Sequence, residues 1–252
     1  PVFEDGSSNL RKSSKSEEEM IPEDLPSASL KVVSYNIWHT MPPSWVYHDS
    51  RQRRERYSRR LKFLSESVIA ENPDVVVFQE VRLDSSFRLD AEDTGSQVEH
   101  LLRFLRNAEV KAELCEDDGD VYAGCTRWNV FFHPAMSMFD KRNIRTRHEE
   151  GLAIFAREKL PLIRPGVLLL PRDLSLATDD HNRAVIGARV PISRVRGGNS
   201  NDPVMTEISI MATHFSLDAS ARERAVSFLL RHTEGCLYPS VLGGDLNGEP
   251  EE

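Results

Sequence analysis

Four short apolar segments of the sequence each end at polar residues that could perform chemistry. The residues are Asn36, Glu80, His214 and the pair Asp245 and Asn247. Because ligands of α/β sheets bind where strands end, these side chains are candidates for one shared site. Hard cations such as Mg²⁺ are bound by carboxylate and amide oxygens and keep several waters. Together with a histidine that moves protons, this set suits metal-assisted phosphoryl chemistry.

Each of these residues, taken alone, has a simpler interpretation. A single asparagine at a strand end is more often a turn former than a ligand. Glu80 could form a salt bridge with Arg82 or Arg157 instead of binding a metal. His214 could be a hydrogen-bonded core histidine, and Asp245 could cap a turn.

The elements that position these residues follow from hydrophobic periodicity. Residues 30–37 and 74–80 are short β-branched segments typical of buried strands, and residues 57–71 between them have an amphipathic helical pattern. The strand, helix, strand order predicts parallel pairing in an α/β arrangement. Two further helices and five further strands are predicted at residues 96–107 and 219–231 and at 128–132, 151–156, 184–190, 207–213 and 241–242.

The composition is that of a folded chain, with 252 residues of which 39% are hydrophobic. Residues 1–29 have little to bury, so we expect a disordered tail followed by one domain over residues 30–252. Apolar runs such as residues 167–170 are too short to cross a bilayer. Because the first residue is Pro1 and not methionine, an upstream signal or anchor stays open, and so does the localisation.

The formal net charge of −8 does not attract nucleic acid over long range. A nucleic-acid substrate would therefore need a local basic patch or a metal. The arginine-rich run at residues 51–60 could grip phosphates, or it could be the solvated face of a helix. The acidic residues 116–120 lack the full pattern of a calcium loop and are interpreted as a solvated loop.

The three cysteines, Cys115, Cys125 and Cys236, do not have zinc-site spacing. Cys115 and Cys125 could form one disulfide, or all three could be free thiols. Five histidines lack the strand-end position of His214 and are interpreted as loop or surface residues. They are His39, His48, His133, His148 and His181.

Five motifs in order along the chain resemble those of the endonuclease/exonuclease/phosphatase superfamily, whose fold is DNase I-like. They are Ser34-Tyr-Asn-Ile-Trp38, Gln79-Glu80, Glu150-Gly-Leu-Ala-Ile-Phe-Ala-Arg157, Thr213-His214 and Gly243-Gly-Asp-Leu-Asn-Gly-Glu-Pro250. Each motif is weak alone, but their common order over residues 31–250 makes the resemblance strong. The resemblance implies a four-layer α/β sandwich of two mixed sheets flanked by helices, and metal-dependent hydrolysis of a phosphoester.

The resemblance also implies roles for individual residues. Glu80 and Asn36 would hold the divalent metal, Mg²⁺ or Mn²⁺. Asp245 would orient or deprotonate the attacking water, Asn247 would position the phosphate, and His214 would bind the phosphate or move protons. Arg183 resembles the family arginine that begins a strand near the phosphate.

The sequence departs from the family pattern because no Ser-Asp-His follows Asp245. We therefore expect a chain that is truncated before this motif, with the last strands of one sheet missing. The competing hypothesis is a catalytically inactive fragment or binding module of the same fold. The family acts on nucleic acids, phospholipid headgroups, inositol phosphates and nucleotide-type molecules, and the fold does not choose among them.

Overall fold

The computed structural model describes residues 29–38, 50–84, 87–90, 92–112, 127–140, 143–176, 181–195 and 203–248. Nearly all of the predicted tail, the pair Cys115 and Cys125, the loop at 116–120, and His39 and His48 lie outside these residues. Cys236 is exposed and has a free thiol. None of the helices in the described ranges combines the length and the apolarity that a bilayer crossing requires.

The described residues form eight strands and three helices. The helices are α1 (Ser50–Glu71), α2 (Gln97–Lys111) and α3 (Ala219–Thr233). The strands are β1 (Val32–Asn36), β2 (Val75–Asp84), β3 (Trp128–Asp140), β4 (Asn143–Arg157), β5 (Ile163–Leu169), β6 (Ala184–Val195), β7 (Pro203–His214) and β8 (Ser240–Asp245).

The strands form two mixed four-stranded sheets, with the orders β1-β2-β4-β3 and β5-β6-β7-β8. Pairing is parallel between β1 and β2 and between β7 and β8, and antiparallel elsewhere. The parallel pairing predicted for the first two strands is confirmed. Asn36 and Gln79 are register partners, and so are His214 and Asp245. Each parallel pair therefore brings its two residues to the same edge of its sheet.

Three apolar clusters separate four layers. The central cluster lies between the two sheets and includes Val77, Ile154 and Ile210. A second cluster packs α1 and α2 against the outer face of the first sheet, and a third packs α3 against the second sheet. The α/β sandwich of two mixed sheets flanked by helices is therefore confirmed.

The two sheets approach closely where β8 faces β1 and β2. A Cβ atom at Gly243 would lie 2.6 Å from Cγ2 of Val77 and 3.6 Å from Cβ of Ser34. A separation of 2.6 Å is well inside van der Waals contact, so only glycine fits between the sheets at this position. The close approach brings the end of β8 beside the ends of β1 and β2.

The structure corrects several predicted boundaries. Helix α1 begins at Ser50 and not at residue 57. Its first turns escape prediction from periodicity because residues 50–56 are polar and show no apolar stripe. Strand β5 was not predicted, since Arg164, Pro165 and Gly166 interrupt its apolar pattern. Pairing with β6 nevertheless continues past them through a register shift. His148 is also not a surface residue: it lies on β4, buried, with Nδ1 2.9 Å from Oδ1 of Asp84.

Candidate active site

The predicted site residues meet where β1 and β8 end, beside Glu80 in the middle of β2, which continues to Asp84. Asn36 ends β1, and its Nδ2 donates to Oε1 of Glu80 at 2.8 Å and to Oδ2 of Asp245 at 2.9 Å. Its Oδ1 accepts from the backbone N–H of Trp38 at 2.9 Å. Since Glu80 belongs to the first sheet and Asp245 to the second, one amide joins carboxylates from both sheets.

The backbone of β2 is irregular at Glu80. The register between β2 and β4 shifts between Gln79 and Val81, which leaves Glu80 as a bulge residue, and its φ is 58°. A bulge re-aims a side chain, and a non-glycine residue with positive φ is strained. The bulge turns Glu80 to the strand end that Asn36 and Asp245 share.

Asp245 ends β8 and also shapes the turn that follows. Its Oδ1 accepts from the backbone N–H of Asn247 at 3.0 Å, and Asn247 has a φ of 50°. The Nδ2 of Asn247 donates to the backbone carbonyl of Phe215 at 2.9 Å. The turn-capping interpretation of Asp245 is therefore correct, but it uses only one of the two carboxylate oxygens, and the other faces Asn36.

His214 lies beside Asp245 at the end of β7. Its Nε2 is 3.8 Å from Oδ2 of Asp245, and its side chain is 15% exposed. Burial and the charge of Arg183 together lower the pKa of His214 to about 4, against the opposing effect of Asp245. The imidazole is therefore neutral at pH 7 and able to accept a proton, but it carries no charge with which to attract a phosphate.

Asp245 is ionised at neutral pH. Burial opposes ionisation, but the pKa of Asp245 is lowered because Asn36 and the N–H of Asn247 donate to the carboxylate and because Arg183 contributes positive potential. A carboxylate that accepts several hydrogen bonds is stabilised in its charged form. Asp245 is consequently available as an acceptor for a proton or as a ligand for a cation.

Arg183 and Glu150 lie on the other side of His214. Together with Asn182 and Met136 they line a small, partly open pocket of about 10 Å³, the size of one water. Glu150 is 7% exposed, and its pKa is raised by burial and by the charge of Glu80, although Arg82 and Arg183 oppose the rise. Glu150 is thus a buried carboxyl group next to the predicted site.

Sequence reasoning did not assign a role to Glu150. It opens one of the five motifs, and the β2–β4 register makes Arg82 its partner, but its proximity to Arg183 and His214 arises from the packing of the two sheets. The alternative partner considered for Glu80, Arg157, lies at the far end of the sheet. There it donates to Glu109 at 3.2 Å and to Asn72 at 2.9 Å, so it does not neutralise Glu80.

The donor set can be tested for its fit to a divalent cation. Within the described residues, no three His, Cys, Asp or Glu side chains are grouped so that they could share a metal. The site instead offers two carboxylates, Glu80 and Asp245, with the positive end of the Asn36 amide between them. Mg²⁺ is usually held by one or two carboxylates and several waters, so this pair fits a hydrated Mg²⁺ or Mn²⁺.

A polar cleft adjoins the carboxylate pair. It has a volume of about 460 Å³ and is lined mainly by polar residues and backbone from β1, β2 and β8, among them Ser34, Asn36, Gln79, Asp245 and Asn247. A cleft of this size accommodates a small phosphoester together with waters.

The family model for the endonuclease/exonuclease/phosphatase family matches residues 33–252. The chain belongs to this family. Its members are generally phosphodiesterase or phosphatase hydrolases and commonly use divalent metals. The resemblance of the five motifs is therefore confirmed.

Solved structures of the endonuclease/exonuclease/phosphatase family share the fold. The family protein from Leptotrichia buccalis C-1013-b is 13% identical, with a TM-score of 0.51, and the match covers 88% of this chain and 67% of that one. The endonuclease/exonuclease/phosphatase from Beutenbergia cavernae DSM 12333 is 20% identical, with a TM-score of 0.52 and coverages of 88% and 50%. The chain thus spans half to two thirds of their length. No curated protein sequence matches it.

Proposed function

We propose that this chain carries the metal-binding and water-orienting centre of a metal-dependent phosphoesterase. The observation that supports the proposal is the Asn36 amide, which lies between Glu80 and Asp245 at 2.8 and 2.9 Å. Two carboxylates that share one amide, at a polar cleft in a family of phosphoester hydrolases, fit the one or two carboxylates by which a hydrated Mg²⁺ is usually held.

Each residue of the centre has a proposed task. Glu80 and Asp245 supply oxygens to the cation, with Asn36 fixing their spacing. Bound Mg²⁺ or Mn²⁺ supplies a Lewis acid for the phosphoryl oxygens. Asp245 orients the attacking water, and its second oxygen keeps the turn that presents Asn247 to the phosphate.

Arg183 and His214 complete the proposed chemistry. Arg183 offers a guanidinium to the non-bridging phosphate oxygens, a role for which its planar donors are suited. His214 is neutral because its pKa is about 4, so Nε2 can accept the proton that the attacking water loses. The coarse substrate class is a phosphoester, and the hydrolysed bond lies at the open cleft beside Asp245.

The proposal is tested by separating binding of the metal from turnover. Titration calorimetry with Mn²⁺ should detect one site, and Glu80→Ala should abolish it. Hydrolysis of bis-p-nitrophenyl phosphate with Mg²⁺ or Mn²⁺ should fall by at least about a hundredfold in Glu80→Ala and in Asp245→Asn. Glu223→Ala, which removes an exposed carboxylate from α3, is the matched control and should change neither measurement.

Two outcomes would count against the proposal. Mn²⁺ affinity that is unchanged in Glu80→Ala would refute the metal centre. Metal binding that depends on Glu80 without any Glu80-dependent hydrolysis would instead support the binding-module hypothesis for this chain.

A further inference from the structure

Trp38 is an exposed aromatic residue in an unusual backbone conformation beside the carboxylate pair. It lies two residues beyond Asn36, is 40% exposed, and has a φ of 48°. A bulky residue with positive φ is a genuine outlier, and strained residues of this kind cluster at ligand sites. Since neither burial nor backbone preference favours this arrangement, the position of the ring calls for another explanation.

The peptide of Trp38 is held from both sides. Its N–H donates to Oδ1 of Asn36 at 2.9 Å, and its carbonyl accepts from Nη2 of Arg60 at 2.7 Å. The first contact couples Trp38 to the amide that joins Glu80 and Asp245. The backbone of Trp38 is therefore held beside the proposed reacting centre, while its side chain remains open to solvent.

Arg60 also lies over the Trp38 ring, with Cζ 5.8 Å from the ring centroid. It belongs to a strongly basic part of α1: residues 53–62 contain five arginines and one lysine but only one acidic residue, Glu55. Arg53, Arg56 and Arg60 have the spacing i, i+3, i+7, so they lie along one face of the helix. A basic stripe thus runs from the ring outward along α1, in a chain whose overall charge is −8.

We propose that Trp38 and Arg60 form a stacking platform for a nucleobase next to the hydrolysed phosphate. The substrate is then a nucleobase-bearing phosphodiester, with further phosphates lying along the basic face of α1. This inference rests on the proposed function, because it assumes that the reacting phosphate lies at Glu80 and Asp245. Aromatic and guanidinium planes together are a common surface for stacking single-stranded bases.

The polar cleft that includes Asp245 favours a base over an acyl chain. It is lined mainly by polar residues, with Ser34, Asn36 and Gln79 from the first sheet. An acyl chain needs a contiguous apolar surface, whereas a nucleotide needs one flat face for the base and polar or charged groups for sugar and phosphate.

The platform is tested by binding, with EDTA present so that hydrolysis and the metal do not contribute. Fluorescence anisotropy compares a labelled single-stranded oligothymidylate with an abasic strand of equal length. The wild-type chain should bind the base-bearing strand more tightly. Trp38→Ala should lower the affinity for that strand by about tenfold while leaving the affinity for the abasic strand unchanged. Trp38→Phe should keep most of the preference.

Three further measurements sharpen the test. Arg60→Gln should lower the affinity for both strands and reduce the salt dependence of binding. Phe63→Ala removes another exposed aromatic residue of α1 and should change neither strand. Competition with the dinucleotide thymidylyl-thymidine distinguishes the two sources of a nucleobase: equal inhibition per molecule indicates a nucleotide site, and much weaker inhibition indicates a strand that extends along α1.

Equal affinity of the wild-type chain for base-bearing and abasic strands would overturn the platform. So would Trp38-dependent binding to phosphatidylserine vesicles without any base preference. The proposed function is judged separately by hydrolysis of bis-p-nitrophenyl phosphate in Glu80→Ala. Preference for the base-bearing strand without Glu80-dependent hydrolysis would support the stacking platform and refute the proposed enzyme activity. Glu80-dependent hydrolysis without that preference would support the activity and refute the platform.

Discussion

At the scale of single residues, Asn36 has an unusual task for an exposed amide. It donates both hydrogens of one NH₂ group to carboxylates, Glu80 and Asp245, and it uses its oxygen for the peptide of Trp38. All of these contacts involve short-range hydrogen bonds to charged or backbone groups, which are the ones whose loss is felt most. Substitution of Asn36 therefore removes the hydrogen bonds that join the two carboxylates without removing either carboxylate.

We expect Asn36→Asp to destabilise the metal-free chain by about 1–2 kcal/mol at pH 7, because a donor is replaced by a third carboxylate. Added Mn²⁺ should restore the loss, since the cation neutralises the repulsion. Thermal unfolding with EDTA and with Mn²⁺ measures both effects. Asn36→Ala, which loses the donor without adding charge, should show a smaller gain from Mn²⁺. An equal gain in both variants would contradict this account.

His214 should make the stability of the metal-free chain depend on pH. Its pKa is about 4 in the folded chain and 6.5 as a free side chain, so between these values the unfolded chain binds more protons. Stability is then complete above pH 6.5 and decreases as the pH falls towards 4, by at most about 3 kcal/mol. Urea unfolding at pH 7 and pH 4.5 should show a smaller decrease in His214→Gln than in the wild-type chain.

Glu150 should act in the opposite direction. Burial raises its pKa, so its contribution to stability is present below the pKa of a free glutamate and is lost as the pH rises through the folded pKa. Glu150→Gln imitates the protonated form. We expect its urea midpoint to exceed that of the wild-type chain at pH 8 and to equal it at pH 4. A lower midpoint at pH 8 would show that the carboxylate is charged and well paired.

The sequence predicted the types of the polar residues and the strand-end positions of Asn36, His214 and Asp245, but not their contacts, and β2 continues past Glu80 to Asp84. Glu80, His214 and Asp245 could be selected because each follows an apolar segment, a pattern visible without coordinates. The lowered pKa of His214 could not be predicted, because it depends on burial beside Arg183, which is 31 positions away in the chain. Glu150 was missed for the same reason: it lies beside Arg183 and His214 only because the two sheets pack together.

At the scale of elements, the apolar strands were predictable and the irregular ones were not. The segments that became β1, β2 and β7 are nearly continuous β-branched or apolar runs, and they were located within a few residues. Strand β3 was predicted only to residue 132, although it continues past Pro134 to Asp140. Its outer half is formed by hydrogen bonding to β4, and such long-range pairing leaves little trace in local composition.

The close approach of β8 to the first sheet gives a prediction at this scale. Gly243→Ala should lower the free energy of unfolding by roughly 1–3 kcal/mol, because the new Cβ would meet Val77. Gly166→Ala is the matched control, since nothing lies within 4 Å of a Cβ there. The double variant Gly243→Ala, Val77→Ala should be more stable than the sum of the two single changes predicts. Simple additivity would show that the sheets do not meet at this point.

At the scale of the whole molecule, β8 is an edge strand of the second sheet with exposed apolar side chains. Strand β8 pairs only with β7 among the described residues, and Val241, Leu242 and Leu246 in and after it are 37%, 41% and 47% exposed. An apolar strand with an open edge is a template for pairing with another chain. This edge is therefore a candidate surface for self-association.

We expect the wild-type chain to associate in a concentration-dependent way and Leu242→Lys to remain monomeric. A lysine on an edge strand opposes edge-to-edge pairing by charge and desolvation. Sedimentation velocity over a concentration series measures the difference. Leu230→Lys, on the exposed face of α3, adds the same charge away from β8 and should leave association unchanged. Equal behaviour of the two variants would mean that β8 is not the contact.

The Asn36 bridge has a consequence for how binding and folding are linked. Glu80 and Asp245 belong to separate hydrogen-bonded sheets, so the two carboxylates lie close together only while the sheets are packed face to face. A partly melted state that keeps both sheets but loosens their contact would retain its secondary structure and lose the pair. A ligand that binds both carboxylates therefore opposes separation or sliding of the two sheets, and its free energy of binding adds to the free energy of unfolding.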